Sequence, residues 1–278
     1  MNYRHAYHAG NFADVHKHTA LIAILLHLRR KESPFAVIDT HAGGGLYDLS
    51  ADEAQRTGEA HAGIGLLRGH AAQSQALAEY LEIVDGFGPQ HYPGSPLIAA
   101  RLLRSQDCLI AVEKHPGEYA ALRMALSSFA NARAIAGDGY LQLPTLLPPA
   151  ERRGVVLIDP PYEEEDEPQR IAKLFAEAHR RFTNGIYLIW HPLKDVPSAG
   201  ALAGEIRNAG ATRLLSLVLD VGRAPDDPAG KLSASGLLVV NPPYSFDAEM
   251  RATVAEILPL LRRSTDVSIR IEWLAGGP

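Results

Sequence analysis

The sequence is short of cysteine, of long apolar runs and of positive charge. Cys108 is the only cysteine among 278 residues, so no internal disulfide can form, and an oxidising compartment is not implied. No apolar stretch reaches the ~18 residues needed to span a bilayer. The N-terminus, "MNYRHAYHAGNFADVHKH", lacks the charged-then-apolar pattern of a secretion signal. These absences predict a cytoplasmic protein without a membrane partner. Net charge is −5, which weighs against a nucleic-acid partner, because phosphate binding usually draws on a basic surface. Basic residues do group at Arg29, Arg30 and Lys31, at Arg180 and Arg181, and at Arg262 and Arg263, where solvated helix ends explain them as well as a patch does. No GxxxxGK[ST] motif is present, so a phosphate-cradling P-loop is unsupported.

What is present is an alternation of apolar runs with helix-period stretches. "FAVIDTH" (35–41), "CLIAVEKH" (108–115), "ARAIAGDG" (132–139), "GVVLIDPP" (154–161) and "GIYLIWHP" (185–192) read as buried parallel strands. "RLLSLVLDV" (213–221), "SGLLVVNPP" (235–243) and "VSIRIEW" read as further strands, with a helix near 246–263. This order predicts a doubly wound, mostly parallel α/β sheet. The first strand runs into Asp39 and the glycine turn Gly43, Gly44 and Gly45, where a ligand can approach the backbone, although the turn is not a clean GxGxxG. An acid ~20 residues after such a turn usually holds ribose hydroxyls. The candidate here is Glu113, and its distance implies an insertion at about residues 47–94, containing the helix "AQSQALAEYLEIVDGF". The third strand ends at Asp138 and Gly139, which share the same predicted crevice. The predicted domains are 1–46 with 95–278, and an inserted helical subdomain at 47–94.

Asp39, Glu113, Asp138 and Asp159 each close a predicted strand, on the edge where open α/β sheets bind ligands. Carboxylates suit ribose hydroxyls, an adenine amine and a nearby sulfonium better than a polyphosphate. The corner Asp159-Pro160-Pro161-Tyr162 adds a second function. Asp159 and the Pro160 carbonyl can both accept from one NH₂ group, the prolines offer no competing N–H, and Tyr162 presents a flat face for a planar base. Accepting both amine hydrogens favours a tetrahedral nitrogen and stabilises the charge that develops as a methyl group arrives. "NPPY" (241–244) also follows an apolar strand, but it falls after the seventh strand and not soon after the Asp138-Gly139 loop, which makes it a structural turn.

"DPPY" resembles the catalytic motif of S-adenosylmethionine-dependent amino-methyltransferases. With "YRHAYHAGNFADVHKH", "DTHAGGGLY", "YPGSPLIA", "EKHP", "GDGY" and "LIDPPYE", the chain resembles the bacterial 23S ribosomal RNA adenine-N6 methyltransferases of the RlmJ type. The resemblance implies a Rossmann-like class I methyltransferase fold, S-adenosylmethionine as cofactor and one adenine of 23S rRNA as substrate. In the fold so implied, the seventh strand, which leads into "NPPY", runs antiparallel and ends on the opposite edge. It implies Asp159, Pro160 and Tyr162 as catalytic residues. His18, His41, Ser95, Glu113, Asp138 and Gly139 would form the cofactor site, and Tyr3 and Lys17 would meet the RNA. The implied partner is 23S rRNA, as a hairpin or unassembled precursor, met by a monomer that needs no protein partner. Six of the twelve histidines fall in the first 41 residues, yet without cysteines and outside common zinc spacings they predict no metal; most read as surface or RNA-facing groups. The acids 163–167 read as a solvated loop, or as a lid over the substrate base. Competing readings are a DNA adenine or protein glutamine N-methyltransferase, a non-catalytic RNA-binding assembly factor, and a nicotinamide dehydrogenase, which would leave "DPPY" without a role.

Overall fold

The computed structural model describes residues 5–193, 196–224, 227 and 231–277. After a short 3₁₀ turn come α1 (Phe12–Arg29), β1 (Ala36–Asp39) and β2 (Leu46–Asp48). Then follow α2 (Asp52–Thr57), α3 (Ile64–Leu67), α4 (Gln75–Asp85), β3 (His91–Pro93) and α5 (Ser95–Leu102). Strands and helices next alternate as β4 (Cys108–Glu113), α6 (Pro116–Ala125), β5 (Ala132–Ala136), α7 (Gly139–Leu146), β6 (Gly154–Ile158) and α8 (Glu167–Arg181). The chain continues through β7 (Ile186–Pro192), α9 (Val196–Asn208), β8 (Leu214–Asp220), β9 (Ala234–Val240), α10 (Phe246–Leu261) and β10 (Ser268–Ala275).

Eight strands form one sheet in the order β10-β8-β9-β7-β6-β1-β4-β5. The run from β7 to β5 is parallel, whereas β9 pairs antiparallel with both β7 and β8. Both faces are covered, which explains why the strands read as unbroken apolar runs. Val37, Val155 and Leu157 point into a core shared with α1, α4, α5, α6 and α10. Their neighbours Ile38, Val156 and Ile158 point the other way, against α7, α8 and α9. All eight strands predicted from the sequence are found. The antiparallel β9 carries "NPPY" to the edge opposite Asp159, where the Asn241 amide donates to the carbonyls of Thr183 and Gly185 at 2.9 Å each.

The N-terminus departs from expectation. Its polar, histidine-rich look suggested surface, but α1 is buried nearly all round, including His16, Lys17 and His18. Asn11 caps it by accepting from the Asp14 N–H at 2.9 Å. The apolar run Ala20–Leu25 then has core on every side, so the amphipathic stripe of a surface helix is missing. Residues 47–94 include β3 and most of β2, which pair antiparallel at the two ends of the segment, and Ile64, Leu67, Leu77, Tyr80 and Val84 join the same core as α1.

Gly139 shows how tightly the strand ends converge. A Cβ at this position would sit 2.1 Å from the Thr40 carbonyl oxygen, so the first turn of α7 can rest on the β1 turn only as glycine. Gly139→Ala is expected to cost ~1–3 kcal/mol, the usual range for overpacking. A urea-unfolding midpoint equal to wild type would contradict this packing.

Candidate active site

The carboxyl ends of β1, β4, β5, β6 and β7 open on a cavity of about 580 Å³. That size suits a small-molecule or cofactor site. Its floor at the β6 end is the DPPY corner. Asp159 is mostly buried, and its Oδ2 accepts from the Lys17 ammonium at 2.5 Å. Lys17 also donates to Asp14 Oδ1 at 2.9 Å, while Asp14 Oδ2 receives the Gly10 N–H and lies 3.0 Å from His5 Nε2. Burial opposes the charge on Lys17, but Asp14 and Asp159 together outweigh it and hold its pKa above the usual range. Burial also opposes ionisation of Asp14, yet His5 and Lys17 keep its carboxyl well below the usual range. Among the described residues no hydrogen bond engages Asp159 Oδ1, which leaves an acceptor for an incoming N–H.

Lys17 therefore does not lie on the outside, where an RNA backbone would meet it. Its ammonium is 5% exposed and is committed to Asp14 and Asp159 inside the cavity. Lys17 does line the cavity, so the RNA contact expected of it can be made only by a group that enters there. A cation on a fully packed helix has nowhere to go but to the nearest carboxylates. Tyr3 lies outside the described residues. Of the histidines read as surface groups, His16 is buried, and so is His18, which was expected in the cofactor site. Burial pushes both down to about 3, so they are neutral. His18 stacks on Tyr92 with Nδ1 2.8 Å from its hydroxyl, and it lines the cavity.

The other predicted residues gather at the same strand ends. Gly43 has φ +63° and presents its N–H to Glu113 Oε2 at 2.8 Å, while the His115 N–H reaches Glu113 Oε1 at 2.6 Å. Two backbone donors thus fix the Glu113 carboxylate at the cavity wall; burial still raises its pKa. Asp138 caps α7 by accepting the Tyr140 N–H at 2.9 Å and receives Lys114 at 2.8 Å. Ser95 lies on the cavity wall but donates at 2.6 Å to Asp39 Oδ2, behind the wall. His41 packs edge-on against Tyr140, and burial lowers its pKa to about 4. Such strand-end carboxylates fit a ribose and an amine, as a nucleoside-type cofactor requires.

The acidic stretch divides in two. Glu163, Glu164, Glu165 and Asp166 are exposed, whereas Glu167 turns inward, accepts from the Tyr140 hydroxyl and lies 3.3 Å from Arg170. The sequence reading missed Asp14, Tyr140, Glu167 and Trp190, all of which line the cavity. Only Asp14 left a local trace, in the Asn11-to-Asp14 cap spacing and the Asp14-to-Lys17 spacing on one helix.

The strand order, with an antiparallel β9 inserted between β7 and β8, and the acid-lined cleft at the parallel strand ends define a class I methyltransferase. The sequence model of the family described as Ribosomal RNA large subunit methyltransferase D, RlmJ, matches residues 32–275. Ribosomal RNA large subunit methyltransferase J of Haemophilus influenzae is 38% identical over 99% of both chains. Its namesake from Escherichia coli K12 is 39% identical over 94% of this chain and 92% of that one. The crystal structure of protein LPL1258 from Legionella pneumophila superimposes with a TM-score of 0.87 at 30% identity, covering 96% of this chain and 98% of that one. The chain belongs to the RlmJ family of large-subunit ribosomal RNA methyltransferases. No helix among the described residues is long and apolar enough to cross a membrane.

Asp39 yields a test of the site's electrostatics. Its burial, aided by the charge of Asp159, raises its pKa to about 6. An unfolded aspartate titrates near ~3.9, so between about pH 4 and pH 6 the native state binds the extra proton. The stability contributed is therefore complete below about pH 4 and is lost as pH rises through 6. Asp39→Asn cannot ionise and escapes that loss. Relative to wild type it should gain ~2–3 kcal/mol between about pH 4 and pH 7 in urea unfolding. Parallel pH profiles would contradict the assigned shift.

Proposed function

We propose that the protein transfers a methyl group from S-adenosylmethionine to the N6 amine of an adenine in 23S rRNA, and that it does so in the cytoplasm as a monomer. The observation that carries this reading is the Asp159 carboxylate. One of its oxygens is held by Lys17 and the other has no partner among the described residues, in a cavity that Pro160 and Tyr162 also line. When bound, S-adenosylmethionine supplies an electrophilic methyl group on a sulfonium. Glu113 and Asp138 would hold its ribose and adenine, with His18, His41, Ser95 and Gly139 completing that end of the cavity. Asp159 Oδ1 and the Pro160 carbonyl accept the two amine hydrogens, drawing the nitrogen lone pair out of conjugation. With that methyl donor bound, the freed lone pair would face its methyl group, and Asp159 or water would take the proton that the N6 amine sheds. Lys17 fixes the orientation of Asp159 throughout.

An adenine inside a duplex cannot reach this floor, so the base must be flipped, at a cost of a few kcal/mol. A hairpin or an unassembled precursor with a weakly paired adenine lowers that cost. With a net charge of −5, non-specific attraction is weak, so shape recognition must supply selectivity. Residues 47–94, taken as an inserted subdomain, contribute Tyr47 and Glu59 to the cavity wall and would shape its mouth.

Tritiated methyl transfer to 23S rRNA transcripts, followed by nucleoside analysis, tests this reading. Label should appear in N6-methyladenosine. Asp159→Ala should lower the rate by ~10²–10⁴, the usual contribution of a positioned acceptor or base. Asn241→Ala, on the opposite edge, should remain active, and a DNA hairpin of the same sequence should be a poor acceptor. Equal transfer to DNA and RNA, or label in protein glutamine, would overturn the RNA assignment. An active Asp159→Ala would overturn the site.

A further inference from the structure

Helix α1 is linked to the DPPY corner in two ways, one direct and one indirect. Lys17 takes Asp159. The preceding residue, His16, faces the other way and reaches the far half of the corner through two further side chains. Its Nδ1 lies 3.1 Å from the Ser235 hydroxyl on β9, and both residues are fully buried. The Trp190 indole N–H on β7 donates to that same hydroxyl at 3.0 Å. Trp190 lines the cavity, and its carbonyl accepts from the Tyr162 hydroxyl at 3.2 Å. The Tyr162 ring meets the Trp190 ring edge-on, at 5.6 Å and 81°. Tyr162 itself has φ +53°, a left-handed conformation that a non-glycine residue holds only when its surroundings enforce it.

The direction of the chain is fixed at one end. An indole N–H can only donate, so the Ser235 oxygen must accept it. His16 is neutral, and its Nδ1 completes the hydrogen bonding of that hydroxyl. His16 Nε2 is buried without a partner among the described residues. An unsatisfied buried nitrogen is costly, which makes a polar side chain here hard to explain as filler. Leucine would fill the same space without that cost.

We infer that His16, Ser235 and Trp190 form a positioning relay that fixes Tyr162 as the stacking wall for the target base, so that α1 sets both the acid and the wall of the transfer site. Asp159 is aligned by Lys17, and Tyr162 is aligned by His16 acting through Ser235 and Trp190. The relay touches neither the cofactor's ribose carboxylate nor the reacting amine. It governs how well a planar base is held, and so acts on RNA recognition rather than on cofactor affinity. The inference rests on the methyl-transfer reading.

The test uses the whole protein and a 23S rRNA transcript. Ser235→Ala removes the acceptor of the indole N–H, and Trp190→Phe removes the N–H while keeping an aromatic ring. Each should raise KM for the transcript about fivefold to tenfold, with the Kd for S-adenosylmethionine unchanged within twofold. The double variant should be no worse than the weaker single one, because both changes break the same bond. Trp190→Phe carries the test alone if Ser235→Ala does not fold. A fall in kcat and in cofactor affinity together, additive effects in the double variant, or wild-type kinetics in both singles would overturn the relay. Asp159→Ala, run in parallel, separates the outcomes. If it is inactive, a failed relay leaves the transfer site standing; if it is active, the methyl-transfer reading itself has failed.

Discussion

The Lys17 ammonium between Asp14 and Asp159 is the interaction on which the site depends. It joins the N-terminal helix to the end of β6, across 142 positions of sequence. All three groups are largely withdrawn from water, so each is costly alone and tolerable only together. Removing one partner of such a buried set typically costs ~3–5 kcal/mol, because the charges left behind stay buried. The same contact orients one carboxylate oxygen and leaves the other available. On the proposed reading, stability and chemistry draw on a single arrangement, and α1 belongs to the candidate active site as much as the end of β6 does.

The surrounding architecture follows from that demand. Helix α1 must lie deep against the sheet for Lys17 to reach β6, and it does so with core on nearly every side. The turn after β1 must then sit close to α7, which only glycine at position 139 allows. The carboxylates on this edge are kept apart by different means. Glu113 is held by backbone N–H groups, Asp138 by the start of α7 and by Lys114, and Asp39 by the Ser95 hydroxyl and the His41 N–H.

Much of this was legible in the sequence. Strands buried on both faces appear as plain apolar runs, so the sheet could be read strand by strand, whereas the antiparallel direction of β9, which puts "NPPY" on the far edge, came from the implied fold and not from any residue. The DPPY corner was legible because its chemistry is local, with acid, carbonyl and ring on consecutive residues. The N-terminal helix was not. Its histidines and its lysine look like surface until one knows that Asp14, Asp159, Ser235 and Tyr92 wait for them, and those partners are spread over the whole chain. Pairings at long range leave no periodicity to read. For the same reason Lys17 was taken for an RNA contact, and Trp190, Tyr140 and Glu167 were missed.

The most direct measurement is single-turnover methyl transfer to a 23S rRNA transcript by Lys17→Met, alongside calorimetric binding of S-adenosylmethionine. Methionine keeps the length of the side chain and removes its charge. If Lys17 orients the reacting carboxylate, transfer should fall on the order of 10²-fold, the scale on which positioned acid–base groups contribute, while cofactor affinity stays within a few-fold. Transfer at the wild-type rate, or a loss of cofactor binding in step with the loss of transfer, would contradict the account.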